Sequence, residues 1–171
     1  MSALLLAAVL CVADEPTYPV VVELDNVCGR DCVAILEKAL AKVDGVKSAD
    51  MYGDKFHFKL EVLENKPLLP SRILQVVDKI RIASKGEEDF PLVSFEATIA
   101  GTIETQTKGL VLIARGSGQK YALIPGEGLK IFLAAGKTKL TLSGKITEPK
   151  RNDGVQPLPV LEVGEAKETP Q

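Results

Sequence analysis

The spacing of apolar residues changes once along the chain, and that change limits which folds are open to it. Before Phe90 the pattern alternates between strand and helix periods; after it, only strand-like runs remain. "TYPVVVELDNV" (17–27) carries a β-branched run that reads as a buried strand. Cys32, Leu36, Ala39, Leu40 and Val43 then recur at three- and four-residue intervals, with Ile35 widening the stripe, and Asp44-Gly45 marks the stop of a helix. "VKSADMY" and "KFHFKLEVL" form two strands joined at Gly53-Asp54, a short-hairpin signal. A second helix lies in "LLPSRILQVVDKIRIASKG", started by Pro70 and Ser71, with Ile73, Leu74, Val77 and Ile80 as its apolar face. "DFPLVSFEATI" supplies the next strand. The order is βαββαβ, the ferredoxin-like split arrangement.

From Phe90 onward "LVSFEATIAGTIET", "GLVLIARGSG", "QKYALIPG", "TKLTLSGKITEP" and "LPVLEVGEAKE" are short strand-like runs between Gly, Pro and charged turns. One short helical or irregular link, "GEGLKIFLAAGK", interrupts them. Gly144 falls inside a strand where the chain must bend or bulge. Five such strands point to a small barrel of OB type. The expected fold class is therefore α+β: a ferredoxin-like domain over 14–88, an OB-like β-barrel over 89–165 and a flexible tail over 166–171. The two domains meet through a link short enough that they pack together.

Residues 3–13, "ALLLAAVLCVA", form an uncharged apolar run too short to span a bilayer, which needs about 20 such residues. The run fits a secretory h-region, with Cys11 and Ala13 before a cut ahead of Asp14, although no Lys or Arg precedes it. The expectation is a signal peptide over 1–13, a periplasmic or secreted mature chain, and no membrane span after cleavage. The remaining composition argues against nucleic acid as a partner: the net charge is −2, and five Phe, three Tyr and no Trp offer little stacking surface.

Two cysteines, Cys28 and Cys32, sit at the front of the first helix. Soft d¹⁰ ions such as Cu(I) and Hg(II) prefer thiolates. With metal–sulfur bonds of roughly 2.3 Å, linear coordination needs sulfurs about 4–5 Å apart, which a loop Cys and a first-turn Cys can provide. The positive helix end and Arg30 favour thiolates there, while Asp31 opposes them. Three states stay open on the residues alone: a soft-metal pair, a disulfide in an oxidising compartment, or two apolar residues with Cys32 buried on the helix stripe.

"CVAILEKALAKVDGV" is similar to the first helix of the heavy-metal-associated domain family, which includes periplasmic mercury-binding proteins, copper chaperones and modules of metal-pumping ATPases. Cys32, Leu36-Glu37, Leu40 and Gly45-Val46 match that helix in register, and with the βαββαβ order the resemblance covers about 14–95. It implies a Met-x-Cys-x-x-Cys site. Here Val27 stands in the Met position and Gly29 in that of the first Cys; Cys28 lies one place early, giving Cys-x-x-x-Cys. Cys32 carries over as a ligand directly, Cys28 only if the loop shifts, and Gly29 has the freedom to permit that.

Other candidates are weaker. His57 is the only histidine, in "KFHFK", and with no second His and no carboxylate evident beside it, it reads as a solvated strand residue. Met51 reads as packing rather than a thioether ligand. The glycines of "ARGSGQKY" precede no helix, so a phosphate cradle lacks its helix end and a hairpin turn is expected. "GEEDF" (86–90) reads as a solvated acidic turn. No nucleophile–base constellation is present in the sequence, so no enzyme is expected. The leading expectation is soft-metal binding through Cys28 and Cys32 in the cell envelope, with Cu(I) or a similar ion as cofactor. The alternative is a non-catalytic envelope protein that binds a protein partner, its cysteines structural.

Overall fold

The computed structural model describes residues 15–53, 56–150 and 157–169. The expected signal peptide over 1–13, and Asp54 of the expected hairpin turn, lie outside them. The protein is α+β, with eleven elements among the described residues: β1 (Thr17–Leu24), α1 (Arg30–Leu40), β2 (Val46–Tyr52), β3 (His57–Leu63), α2 (Pro70–Ala83), β4 (Leu92–Gln106), β5 (Gly109–Ala114), β6 (Lys120–Ile124), α3 (Glu127–Ala134), β7 (Lys139–Thr147) and β8 (Val160–Glu168). All eight strands belong to one sheet, in the order β2-β3-β1-β4-β5-β6-β8-β7, and β4 also pairs with β7. That extra pairing closes β4 to β8 into a five-stranded barrel.

In β1 the buried residues alternate as Tyr18, Val20, Val22 and Leu24. Its antiparallel neighbour β3 buries Phe58, Leu60 and Val62 on the same side, since Val22 pairs with Phe58 and Val20 with Leu60. Helices α1 and α2 bury Cys32, Leu36, Leu40, Ile73 and Val77. Pro70 occupies the first turn of α2 as expected, and the preceding Leu69 is extended, the conformation proline imposes on the residue before it. Two apolar expectations fail. Ile35 is 39% and Leu74 44% exposed, because each lies at the outer margin of its helix, where no second layer covers it. Helix α1 also ends at Leu40, before Gly45; the intervening turn is held by tighter bonds from Lys42 N–H to Ala39 O and Val43 N–H to Leu40 O. Gly45 (φ +89°) ends that turn where a Cβ would meet Lys66 Cβ at 2.5 Å.

Strand β4 belongs to both halves of the protein. Its residues 92–97 pair with β1, 96–102 with β7 and 101–106 with β5. At Gly101 the strand is paired on both sides, with Ala114 and Leu140, and a Cβ there would lie 2.3 Å from Ile113 O. Gly144 of β7 sits at a register shift against β8, where a Cβ would lie 2.0 Å from Glu162 O. The expected bulge is therefore present, and both glycines permit the tight curvature a small barrel needs. Strands β6 and β8 are parallel, and α3 connects β6 to β7, seating Leu129 in the core. Strand β8 runs to Glu168, paired with Leu140, so residues 166–168 belong to the barrel rather than to a tail. One hydrophobic cluster runs through both halves, from Val20 and Leu36 to Leu142 and Leu161.

Candidate functional site at the Cys28–Cys32 loop

The loop between β1 and α1 is pinned where it leaves the sheet. Leu24 N–H donates to Phe56 O at 3.2 Å and Asp25 N–H to Pro91 O at 2.9 Å, while Val27 is buried. From there to α1 the backbone turns through Asn26 (φ +59°) and Gly29 (φ +131°). Asn tolerates the left-handed region, and only glycine adopts the Gly29 conformation without strain. Gly29 is the N-cap of α1, and its carbonyl accepts Val33 N–H at 3.0 Å. With no side chain capping the helix, the residue ahead of it is left beside the first turn.

That geometry joins the two cysteines. Cys28 and Cys32 form a disulfide, with Cα atoms 5.7 Å apart. Cys28 is exposed, whereas Cys32 is 2% exposed on the same stripe as Leu36 and Leu40. Of the three states open on the sequence, the oxidised one is present, and in it neither sulfur is a thiolate. Among the described residues no group of three or more His, Cys, Asp or Glu is placed to hold a metal ion. Glu37, which matches the acidic position of the resemblance, accepts Met51 N–H at 2.9 Å and ties the edge strand β2 to α1. Met51 itself is 45% exposed, so the expectation of ordinary packing fails; β2 is the edge of the sheet, and nothing covers its outer end.

His57 requires a correction, because a carboxylate does stand beside it. The β1–β3 register sets Glu23 opposite His57, with Nε2 3.7 Å from Glu23 Oε2. Glu23 also accepts Ser94 Oγ–H at 3.1 Å from β4. The pairing spans three strands and leaves no local signal in "KFHFK". "ARGSGQKY" is the hairpin turn expected, closed by Ala114 N–H to Gln119 O and Gly118 N–H to Ala114 O. Its Arg115 binds Glu64 through two nitrogens at 2.7 and 3.0 Å, a fork that holds the guanidinium charge even more firmly than usual. Gly116 packs over the same residue, where a Cβ would meet Glu64 O at 2.7 Å. The loop therefore receives a carboxylate of its own chain. "GEEDF" completes the turn after α2, where Glu88 N–H donates to Ser84 Oγ at 3.1 Å.

A second surface became evident only with the barrel assembled. A recess of about 670 Å³ opens on β5, β6 and the start of β8, lined by Lys108, Leu110, Val111, Ala122, Leu158 and their neighbours. No protein-family model matches the chain, and no curated protein matches it significantly. Among the described residues no helix is long and apolar enough to cross a membrane.

Proposed function

We propose that the protein is a non-catalytic interaction protein of the cell envelope, with the Cys28–Cys32 disulfide fastening the loop ahead of α1. The observation carrying this reading is the disulfide itself, which removes both thiolates from metal chemistry and belongs to oxidising compartments. In this reading the first half is ferredoxin-like. Support comes from the strand order β2-β3-β1-β4 with antiparallel neighbours and a helix after β1 and after β3. The barrel is of OB type, supported by the order β4-β5-β6-β8-β7, the parallel β6–β8 pair and the position of α3. The apolar recess on the barrel is a surface where a partner can dock. Thiol titration of denatured, unreduced protein from its native host tests the reading. No free thiol at Cys28 or Cys32 is the expected result, and two reactive thiols would overturn it.

A second reading rests on one observation. Cys28 is exposed and the two Cα atoms are 5.7 Å apart, so a reduced pair has its sulfurs adjacent at a helix N-terminus, where thiolates are favoured. In that state Cys28 and Cys32 bind one Cu(I) or Hg(II), as the resemblance to the heavy-metal-associated family implies. Titration of the reduced chain with Cu(I) separates the readings. One tight equivalent, lost in Cys28→Ser, favours metal binding; no uptake leaves the structural role.

A further inference from the structure

The outer faces of α1 and α2 enclose a groove that no other element covers. Its floor is apolar: Ile35 and Ala39 from α1, Val76, Ile80 and Ala83 from α2. Its banks are basic, with Lys38 on α1, Lys42 in the turn just after it and Lys79 on α2. The hollow of about 430 Å³ continues into a second of about 240 Å³ through the shared Lys42, Val76 and Lys79, which adds Arg72 and Lys66. Lys66 is neutralised by Asp44 at 3.2 Å, the carboxylate that lines this end. Lys38, Lys42, Arg72 and Lys79 have no ion-pair partner among the described residues. Outside the groove both kinds occur: Arg81, Arg115, Lys130, Lys137 and Lys167 each hold a carboxylate, while Lys85, Lys120 and Lys139 hold none among the described residues. A chain of net charge −2 thus sets Lys38, Lys42 and Lys79 on the two banks of one apolar groove and Arg72 at its continuation, none of them ion-paired among the described residues.

We infer that this groove docks an acidic amphipathic helix of a partner protein. An apolar stripe at i, i+3, i+4 and i+7 is needed to cover a floor of this kind, and acidic side chains on both flanks of the stripe meet the cations on both banks. Ala39 and Ala83 allow close approach of a backbone. Helix α1, 11 residues long, spans about 16 Å, so an occupant of roughly three turns matches it. The inference rests on the reading of the chain as an interaction protein, and it names one surface and one class of partner.

The test uses the full oxidised chain and a fluorescent synthetic 14-residue peptide with Leu at positions 2, 5, 6, 9 and 13 and Glu and Ala elsewhere. Anisotropy at low salt is expected to report saturable binding that weakens steeply with added salt. Affinity falls at least tenfold for the Lys42→Glu/Lys79→Glu double variant and severalfold for the exposed Ile35→Ser. It is unchanged for Lys120→Glu/Lys139→Glu on the barrel, both exposed and away from the groove. Equal binding of a scrambled peptide of the same composition, or of one with Lys replacing Glu, overturns the inference, as does unchanged binding by the double variant. A dimer in sedimentation that the double variant dissociates also overturns it, by making a second copy the occupant. Failure of the broader reading is distinct from all of these: it is Cu(I) uptake by two free thiols.

Discussion

The four-stranded half and the barrel end their sheets in different ways. Among the described residues every barrel strand has a neighbour on both sides, because β7 returns to β4. The other half ends at β2, which has a neighbour on one side only and buries little besides Ala49. That edge carries Lys47 and Asp50 and a register shift between Val46 and Ser48, devices that discourage pairing with a foreign strand. The halves also bury their apolar faces differently. Barrel strands pack inward against one another, whereas β1 and β3 depend on α1 and α2 for cover. Closure makes the barrel intolerant of added backbone bulk. The helix-backed half is held by local fastenings that can be undone one at a time.

The largest effect is expected where closure is tightest. Gly144→Val places a Cβ on Glu162 O and should destabilise the protein by about 3 kcal/mol or more. Because β4 and the core are common to both halves, denaturant melts followed by fluorescence of probes placed in each half should shift together. A first-half transition left at its original midpoint would show that the halves are energetically separate.

Reduction of Cys28–Cys32 is the corresponding attack on the other half. The bond closes a loop of four-residue separation, and the chain-entropy relation assigns it about 2 kcal/mol. Hydrogen exchange under reducing conditions is expected to accelerate at α1 and leave β5 to β8 protected. Acceleration throughout the barrel would erase the distinction between global and local fastening.

The third prediction concerns alkaline pH at the junction. Burial raises the phenol pKa of Tyr18, against an opposing hydrogen bond from Leu68 N–H. Burial likewise raises Tyr121, with smaller contributions from Tyr18 and Glu148. The folded state therefore holds both protons above about pH 10, where the unfolded chain releases them. Stability is fully present below that pH and falls as pH rises through it, by at most about 1.4 kcal/mol per unit for each group. Tyr121→Phe should flatten the alkaline limb of stability against pH; an unaltered limb would remove Tyr121 from the account.

The smallest effect tests a single joint. Glu148, just beyond β7, accepts Ser71 N–H at 2.6 Å and Ser71 Oγ–H at 3.2 Å, so the barrel supplies a negative cap for the first turn of α2. Glu148→Gln keeps an acceptor but removes the charge, and a loss of about 0.3–1 kcal/mol is expected at low salt, shrinking as salt is added. A loss independent of salt would show that the hydrogen bonds, and not the charge, make the joint.

The elements were legible in the sequence because each is written in a local period. The twofold alternation of Val20 and Val22, the helical spacing of Cys32, Leu36 and Leu40, and Pro70 at the start of α2 need no distant information. The candidate site was legible in part. The position of Cys28 and Cys32 ahead of a helix was evident, but their bond depended on the turn that Asn26 and Gly29 make. Ile35 and Leu74 show where the helical period misleads, since it identifies a stripe but not how wide a layer covers it.

Alternation and helical spacing by themselves determined which residues become strands and helices, which side of each turns inward, and that glycine must stand at the bend in β7. Tertiary structure alone decided that one strand, β4, serves both sheet and barrel, that Glu23 meets His57, that Arg115 takes Glu64, and that lysines from two helices face each other across one groove. The physical reason is range. A side chain's face follows from dihedral repeats within a few residues, whereas register between elements tens of residues apart emerges only when the whole core is packed.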